Sequence, residues 1–408
     1  MHWEVLAELP EPLYATRITA SEHGWAVVGQ SHMWGIRQEE LAGVRLFTSA
    51  EGFVRTPANE RALLPNAKYD ASGALHLSWV EPESWGADGS GMALSGREAR
   101  ARVGYSKLGG EGWAAVTWPL DWHFSRSSID APRIGLTTGE VEREPGVSIV
   151  VVEERELELD GPGVPGRLPP TRPTVVLARQ EGEAAWESED LGQGRGIDVV
   201  SMLDGAPVVA FAGVPFGTLA SVDASQATLG VIGRPLMQGT RTDTLWTDRD
   251  LSPTDPRFSV GADGDLHMIW RSAPGAQRPP HLLWYSRAPA GGGDWIAPRV
   301  IWGSEEGGLT VANRILLFRS PGGLHALFQT GLHEGRAEVQ HLVMTGSGWS
   351  EPERMNYESR SESVVLPSVD TARTPDGRVY AVLTELLDGT ESDPEYRTLV
   401  LRLVEPAR

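Results

Sequence analysis

The sequence predicts an all-β protein: a single β-propeller of seven four-stranded blades, with six blades as the alternative count. Three observations predict it. Glycine (47) and proline (29) make up 76 of the 408 residues, a turn-rich composition that suits many short strands better than long helices. A strand–turn–strand pattern recurs along the whole chain. The last copy of that pattern lacks one strand, and the N-terminal residues resemble the missing piece.

The first half of each repeat is a β-hairpin. It has a strand with alternating apolar residues, a tight turn built on glycine with Asp, Ser or Pro, and a second apolar strand. The clearest copies are FSVGADGDLHMIW (258–270), LLFRSPGGLHALF (316–328), AKYDASGALHLSW (67–79) and VDTARTPDGRVYAVL (369–383). With the weaker copies included, hairpins start near residues 15, 66, 131, 196, 256, 313 and 367.

The second half of each repeat is a β-rich run, a glycine turn and, in most copies, a tryptophan. These tryptophans are Trp113, Trp186, Trp295 and Trp349. We interpret them as large rings that fill the wedge between neighbouring blades. A histidine also recurs in the second strand, at His76, His267 and His325. We interpret it as a buried structural side chain that donates to neighbouring backbone.

The two ends of the chain are predicted to complete one blade together. The seventh repeat has its hairpin and a third strand, YRTLVLRLVEPAR, but no fourth. Residues 2–11 resemble the segment GWSEPERM (348–355), with Trp3 in the place of Trp349. A blade completed in this way removes the open seam of the ring. We therefore expect residues 3–8 to pair antiparallel with about 398–405, and residues 1–408 to form one domain.

Composition excludes several classes of function. Lys and Arg number 36 against 55 Asp and Glu, a net charge of −19, so nucleic-acid binding is not expected. The chain has no cysteine, which excludes disulfides and thiol chemistry, and no histidine spacing typical of a metal site, so we expect no metal and no cofactor. The sequence contains no apolar run of about 18 residues, so no membrane-spanning segment is predicted. The first residues, MHWEVLAELPEPLYA, lack the basic, apolar and small-residue regions of a secretory signal peptide, which favours a cytoplasmic location. Compartment and oligomeric state stay open.

The repeat resembles that of a known family. The pattern Asp/Ser-x-Gly-x-Leu-His-x-x-Trp, followed by Tyr-Ser-Arg and Gly-x-Trp, is similar to the sialidase-type (BNR-like) propeller repeat over nearly the whole chain. The resemblance implies the propeller fold. Catalytic sialidases carry Arg-Ile-Pro near their first strand, where this chain has Arg17-Ile18-Thr19 and Arg133-Ile134-Gly135. The resemblance therefore does not predict sialidase activity.

Candidate binding residues lie in long segments outside the repeat, because loops at the channel mouth of a propeller carry its binding sites. The segments are 31–40, 81–100, 117–130 and 234–256. A solvent-facing tryptophan beside an arginine suits stacking on a sugar or aromatic ring with hydrogen bonds to orient it. The alternative is that these loops bury their own aromatic rings. The candidates are Trp34, Trp85, Trp122, His123, Arg126 and Trp246.

A second set of candidates comes from cations at the start of the first strands. Cations gathered at a channel mouth would favour a carboxylate, sulfate or phosphate, whereas pairing with neighbouring acids is the competing explanation. The cations are Arg17, Lys68, Arg133, Arg257 and Arg314.

The sequence leaves three functions open. The favoured hypothesis is non-catalytic recognition of a glycan, or of another polar or anionic small molecule, at the channel mouth. The first alternative is a carbohydrate-active hydrolase or lyase that uses His123, or Asp248 with Asp250, as acid and base. The second alternative is a protein-interaction scaffold, which would present a flat apolar patch in place of a pocket.

Overall fold

The structure, a computed structural model, describes most of the chain. The described residues are 1–31, 43–82, 99–124, 134–141, 144–156, 171–215, 227–236, 239–248, 251–274, 282–290, 294–303, 311–330, 339–346, 348–357, 368–390 and 393–405. Over these ranges the regular elements are 29 β-strands. No helix in them is long and apolar enough to cross a bilayer.

The strands form six sheets, numbered here as blades in chain order. Blade 1 holds β2 (Tyr14–Ser21), β3 (Gly24–Gln30), β4 (Val44–Thr48) and β5 (Gly52–Val54). Blade 2 holds β6 (Leu63–Tyr69), β7 (Leu75–Pro82), β8 (Ala99–Gly109), β9 (Gly112–Trp113) and β10 (Thr117–Phe124). Blade 3 holds β11 (Gly135–Val141), β12 (Glu144–Glu156), β13 (Thr171–Glu181), β14 (Glu187–Ser201), β15 (Pro207–Pro215), β16 (Ala227–Leu236) and β17 (Gly239–Asp248).

The remaining three sheets complete the set. Blade 4 holds β18 (Leu251–Val260), β19 (Leu266–Pro274), β20 (Leu282–Ala288) and β21 (Arg299–Gly303). Blade 5 holds β22 (Val311–Ser320), β23 (Gly323–Thr330), β24 (Val339–Thr345), β25 (Gly348–Trp349) and β26 (Glu353–Arg354). Blade 6 holds β27 (Ser368–Arg373), β28 (Val379–Thr390), β29 (Asp393–Val404) and, from the other end of the chain, β1 (His2–Glu8).

The all-β propeller is confirmed, but the structure has six blades where the sequence predicted seven. The third and fourth predicted repeats are joined in the seven-stranded sheet of blade 3. The joining element is β14, whose residues 187–193 pair with β13 while residues 192–201 pair with β15. No loop separates the two repeats, so one sheet fills the sector that the sequence analysis divided in two.

The blades follow one another around a ring. The first strand of blade 1, β2, lies beside β27 on one side and β6 on the other, and β6 lies beside β11. Blade 3 meets blade 4 where β14 lies beside β18, and β18, β22 and β27 continue the circle. These innermost strands, with the C-terminal half of β14, line the centre of the ring, which we call the hub.

The ring is closed by β1, as predicted. It pairs antiparallel with β29, with Trp3 opposite Leu403 and Glu8 opposite Leu399. The backbone N–H of Trp3 also donates to the carbonyl of Asn356 at 2.9 Å. The indole of Trp3 is buried in the apolar cluster between blades 5 and 6. One strand thus anchors both the last sheet and the seam beside it.

Apolar side chains fill the wedges between blades, and the repeated tryptophans belong to these cores. Trp79 and Trp270 are fully buried. The indole N–H of Trp113 in blade 2 donates to the carbonyl of Arg55, beyond β5, at 2.8 Å. That of Trp186, before β14, donates to Thr117 Oγ1 in blade 2 at 3.1 Å. These rings join neighbouring blades, as interpreted from the sequence.

The repeated histidines are buried too, but their hydrogen bonds differ from the prediction. His76 Nδ1 lies 2.6 Å from the Tyr105 hydroxyl, and His267 Nδ1 lies 2.9 Å from the Tyr285 hydroxyl. The partner of each ring is therefore a side chain of the third strand, not backbone. The backbone of the second strand is already engaged by strands on both sides, so the imidazole bonds the polar group that faces it across the sheet.

Candidate functional site

The innermost strand of each blade has one edge with no strand beside it, and side chains of neighbouring blades satisfy its amides. Asp370 Oδ2 accepts from the N–H of Ile18 at 3.0 Å, and Asp198 Oδ2 accepts from the N–H of Phe258 at 2.7 Å. Thr19 Oγ1 accepts from the N–H of Tyr69 at 3.0 Å. Because buried backbone groups must be paired, these bonds fix the innermost strands relative to one another. The hub is a rigid, polar frame.

A strained bulge recurs in three of the hub strands. Ala15, Leu64 and Asp255 have φ angles of 49°, 49° and 53°, and each lies where the strand pairing shifts register. These are the non-glycine residues with positive φ in the described part of the chain. Bulges redirect side chains, and such strain persists where surrounding structure enforces it, often at functional sites.

Two residues after each strained residue comes a polar side chain, and two of these three reach the next blade. After Asp255, Arg257 donates to the carbonyl of Ile315 at 3.1 Å. After Leu64, Asn66 donates to the carbonyl of Ile134 at 2.9 Å. The bulge therefore aims both side chains across the gap between blades, where they act as structural donors.

Arg17 is the third member of this set. It follows the strained Ala15 in β2 and is half-buried, and its guanidinium makes no hydrogen bond or ion pair with any residue in the described ranges. Arg257, at the equivalent position of β18, donates from its guanidinium to backbone carbonyls, whereas the guanidinium of Arg17 has no such acceptor among the described residues. An arginine held on a rigid strand with unused donors suits a carboxylate, sulfate or phosphate.

The neighbouring strand β6 contributes a second cation. Lys68 lies near enough to Asp198 for its charge to act on that carboxyl, together with Arg257. Burial raises the pKa of Asp198 above its usual value; the charge of Arg257, hydrogen bonds from the backbone N–H groups of Phe258 and Val199, and the charge of Lys68 oppose that shift. The side chain of Asp198 is half-buried. The Lys68 ammonium has no ion-pair partner among the described residues.

Two tyrosines outside the candidate set lie against each other at the start of β2. Tyr14 is the first residue of β2, directly before Ala15, and its ring meets that of Tyr396 edge-on with centroids 5.3 Å apart. Burial, with the nearby phenol of Tyr396, raises the pKa of Tyr14 to about 12, so both rings carry neutral hydroxyls at neutral pH. In the sequence, Tyr14 directly precedes a predicted hub strand and Tyr396 opens the third strand of the last repeat, so neither lies in the segments outside the repeat where binding residues were expected.

In the described part of the chain, none of the aromatic or catalytic candidates lies on a hub strand. Segments 117–130 and 234–256 were expected as loops, but they contain β10, the end of β16, all of β17 and the first six residues of β18. The backbones of Trp122 and His123 lie in β10, and those of Trp246 and Asp248 lie in β17, in each case the outermost strand of the sheet. The candidates outside the described residues are Trp34, Trp85, Arg126, Arg133 and Asp250, and of Arg314 only the backbone, in β22, is described.

One tryptophan outside the repeated positions is exposed at the surface. The ring of Trp118 in β10 is 38% exposed, and the Arg102 guanidinium lies 4.0 Å from its centroid. The pair lies on the outer part of blade 2, away from the hub strands. Across the described residues, no group of three His, Asp or Glu side chains is arranged to hold a metal ion.

Comparisons with known proteins agree on the fold. No protein-family model matches the sequence, and no curated protein matches it. Among solved structures, the chain is similar to a protein of unknown function from Dyadobacter fermentans, with a TM-score of 0.51 and 10% identity over 84% of this chain and 95% of that one. It is less similar to the NanB sialidase of Streptococcus pneumoniae, in a K499G mutant (TM-score 0.47, 8% identity, 85% and 70% covered). It is also less similar to the polysaccharide lyase Uly1 (TM-score 0.39, 14% identity, 95% and 77% covered).

At such identities the likeness is one of fold alone. The six sheets arranged in a ring identify the fold as a β-propeller, as the repeat predicted. Activity has to be argued from the side chains of this chain.

Proposed function

We propose that this protein binds a polar, anionic small molecule at the hub, with an acidic glycan as the first class to test, and that it does so without catalysis. The observation that carries the proposal is the pair of cations, Arg17 and Lys68, on adjacent hub strands, whose side chains form no salt bridge or hydrogen bond with a described residue. The rigid hydrogen-bonded frame around them supports it, since preorganised donors lose little entropy on binding.

The partial burial of Arg17 supports the same proposal. A half-buried guanidinium loses part of its hydration, and no described residue compensates for that loss at Arg17 with a hydrogen bond or ion pair. A ligand carboxylate or sulfate between Arg17 and Lys68 would supply that compensation with charge-assisted hydrogen bonds.

The class of glycan follows from pairing these cations with the two tyrosines. Sugars present an apolar ring face as well as hydroxyls, and aromatic rings such as Tyr14 and Tyr396 bind that face. An acidic sugar combines both features in one molecule. The predicted contacts of Trp122, His123 and Trp246 remain predictions, to be tested by alanine substitution in the same assay.

The test is a thermal-shift screen of acidic saccharides, neutral saccharides and simple organic anions, followed by titration of each hit. We expect an acidic saccharide to raise the melting temperature. Arg17→Gln and Lys68→Gln should each weaken binding about tenfold or more, because each removes a charged hydrogen-bonding group. The matched control is Arg45→Gln, which should leave affinity unchanged. Arg45 is an exposed arginine on β4 that forms an ion pair with Glu11.

Three results would count against the proposal. The first is that no saccharide or anion shifts the melting temperature. The second is that both hub variants bind a hit as the wild type does. The third is a product, such as a new reducing end or an unsaturated sugar, formed during the titration, which would favour the enzyme alternative.

A further inference from the structure

Three blades carry a buried histidine, just after the turn between the first two strands, that contacts a side chain of the third strand. In blade 2, Asp70 Oδ2 lies 2.9 Å from His76 Nε2, and His76 Nδ1 lies 2.6 Å from the Tyr105 hydroxyl. In blade 4, His267 contacts Tyr285 in the same way, but Gly261 replaces Asp70, and His267 Nε2 has no described partner. The turn residue, the histidine and the third-strand tyrosine of blade 2 define a unit, of which blade 4 keeps the histidine and the tyrosine.

Blade 5 departs from this unit at two positions. Ser320 stands at the turn, with its hydroxyl 2.6 Å from His325 Nε2. His341 stands where blades 2 and 4 have tyrosine, and its Nε2 lies 2.9 Å from His325 Nδ1. Two imidazoles therefore share one hydrogen bond, which requires one of the facing nitrogens to be unprotonated. Both rings are buried.

This histidine pair lies under the strand that closes the ring. His325 stacks on Phe318 with ring centroids 5.0 Å apart. Trp3 of β1 packs against Phe318 at 6.1 Å and against His341 at 6.2 Å. The indole N–H of Trp3 is buried without a described hydrogen-bond partner, so β1 holds this seam mainly by packing. A charge placed on either imidazole would enter an apolar cluster.

Few charged groups face the pair in the described ranges. Glu405, directly after β29, has Oε1 3.7 Å from His325 Nε2 and accepts hydrogen bonds from the Ser320 hydroxyl and the Gly322 N–H. The amino group of Met1, before β1, acts on His341 with a positive charge. From β22 comes the neutral Ser320 hydroxyl. Glu405 is already engaged, so it compensates an imidazolium only in part.

We propose that the His325–His341 pair is an acid-sensitive latch on the ring: protonation separates the two imidazoles, loosens the seam between blades 5 and 6, and releases β1 from β29. Two imidazolium groups 2.9 Å apart repel each other and have no acceptor between them. The opened seam would hydrate both rings and let them hold their protons. Opening at β1 would break the ring that shapes the hub.

The sign of the pH effect follows from burial. Burial lowers the pKa of His325 to about 4, and burial with the charges of His325 and the Met1 amino group lowers that of His341 to about 3, from an ordinary value of 6.5. Between pH 6.5 and 4 the opened seam binds more protons than the closed one. The stability of the seam is therefore fully present above pH 6.5 and is lost as the pH falls.

Hydrogen exchange tests the latch directly. The protection factors of the amides of His2–Glu8 should fall roughly a thousandfold between pH 7 and pH 5 if both histidines titrate on opening. The amides of Val147–Val151 in blade 3 should keep theirs. His341→Tyr, which restores the contact of blades 2 and 4, should reduce the fall to about thirtyfold, the value for one histidine. His23→Gln, at an exposed histidine, should behave as the wild type does.

The latch is excluded if β1 keeps its protection at pH 5, if His341→Tyr loses protection as steeply as the wild type, or if blade 3 opens together with β1. Should His341→Tyr fail to fold, NMR titration of the wild-type imidazoles decides. Titration coincident with loss of β1 protection supports the latch, whereas titration near pH 6.5 with β1 still paired overturns it.

Discussion

Arg17 and Arg257 occupy equivalent positions in the repeat, but their side chains make different contacts. Each follows a strained residue by two positions, but Arg257 donates to three backbone carbonyls while Arg17 donates to none in the described structure. The sequence could identify both as cations of first strands. It could not predict which of the two guanidinium groups lacks a partner among the described residues, because the contacts depend on how each bulge directs the side chain toward the next blade.

At the same scale, Asp70 illustrates a carboxylate whose role is structural. Burial would raise the pKa of Asp70, but hydrogen bonds from His76, Ser72, Lys107 and the backbone N–H of Ala74 outweigh it and hold the pKa well below its usual range. The carboxylate therefore contributes stability that is present above its unfolded pKa and is lost as the pH falls through acid values.

We predict that Asp70→Asn lowers the free energy of unfolding at pH 7 by about 2 kcal/mol, since it removes the charge from several hydrogen bonds. The deficit should shrink as the pH falls below about 4, where the unfolded wild type takes up a proton. Urea unfolding across this pH range measures it. Asp204→Asn, in the exposed turn of blade 3, is the control, and an equal deficit there, or one that ignores pH, would refute the role.

At the scale of the element, hairpins were predictable and bulges were not. Alternation and glycine turns indicated the strands of blades 2, 4, 5 and 6 because one face of each is buried. The segment TWPLDWHF was expected to be a loop because it lies outside the repeat. It forms β10 because Pro119 falls where the pairing skips between Thr117 and Leu120, a position that needs no N–H. Nothing in Ala15-Thr16 marks a positive φ.

The strain at Ala15 can be tested by relieving it. Ala15→Gly should raise the free energy of unfolding by about 1 kcal/mol, because glycine adopts φ near 49° without a Cβ clash. Ala20→Gly in the same strand, where φ is ordinary, should lower it by about as much. Both values come from denaturant titration. A loss of stability in Ala15→Gly would mean that the bulge is not strained.

At the scale of the whole molecule, the repeat predicted the ring and its closure but not the number of sheets. The strand that completes blade 6 was visible because Trp3 repeats the context of Trp349. The merging of two repeats in blade 3 was not visible. It depends on β14 running unbroken from one repeat into the next, and GQGRG (192–196) resembles a loop in sequence.

The central claim is a ring closed by its two ends around a hub that works as one surface. Glu4 and Arg402 are directly paired across β1 and β29, both partly exposed and joined by an ion pair of 2.5 Å. The chain has no cysteine, so a Glu4→Cys/Arg402→Cys variant can form only one intramolecular disulfide. Mass spectrometry after mild oxidation of the folded variant is the most direct test. We predict that the disulfide forms in the native protein and raises the denaturation midpoint, since it links residues 398 apart. Thiols that stay reduced in the folded monomer would contradict the closed ring.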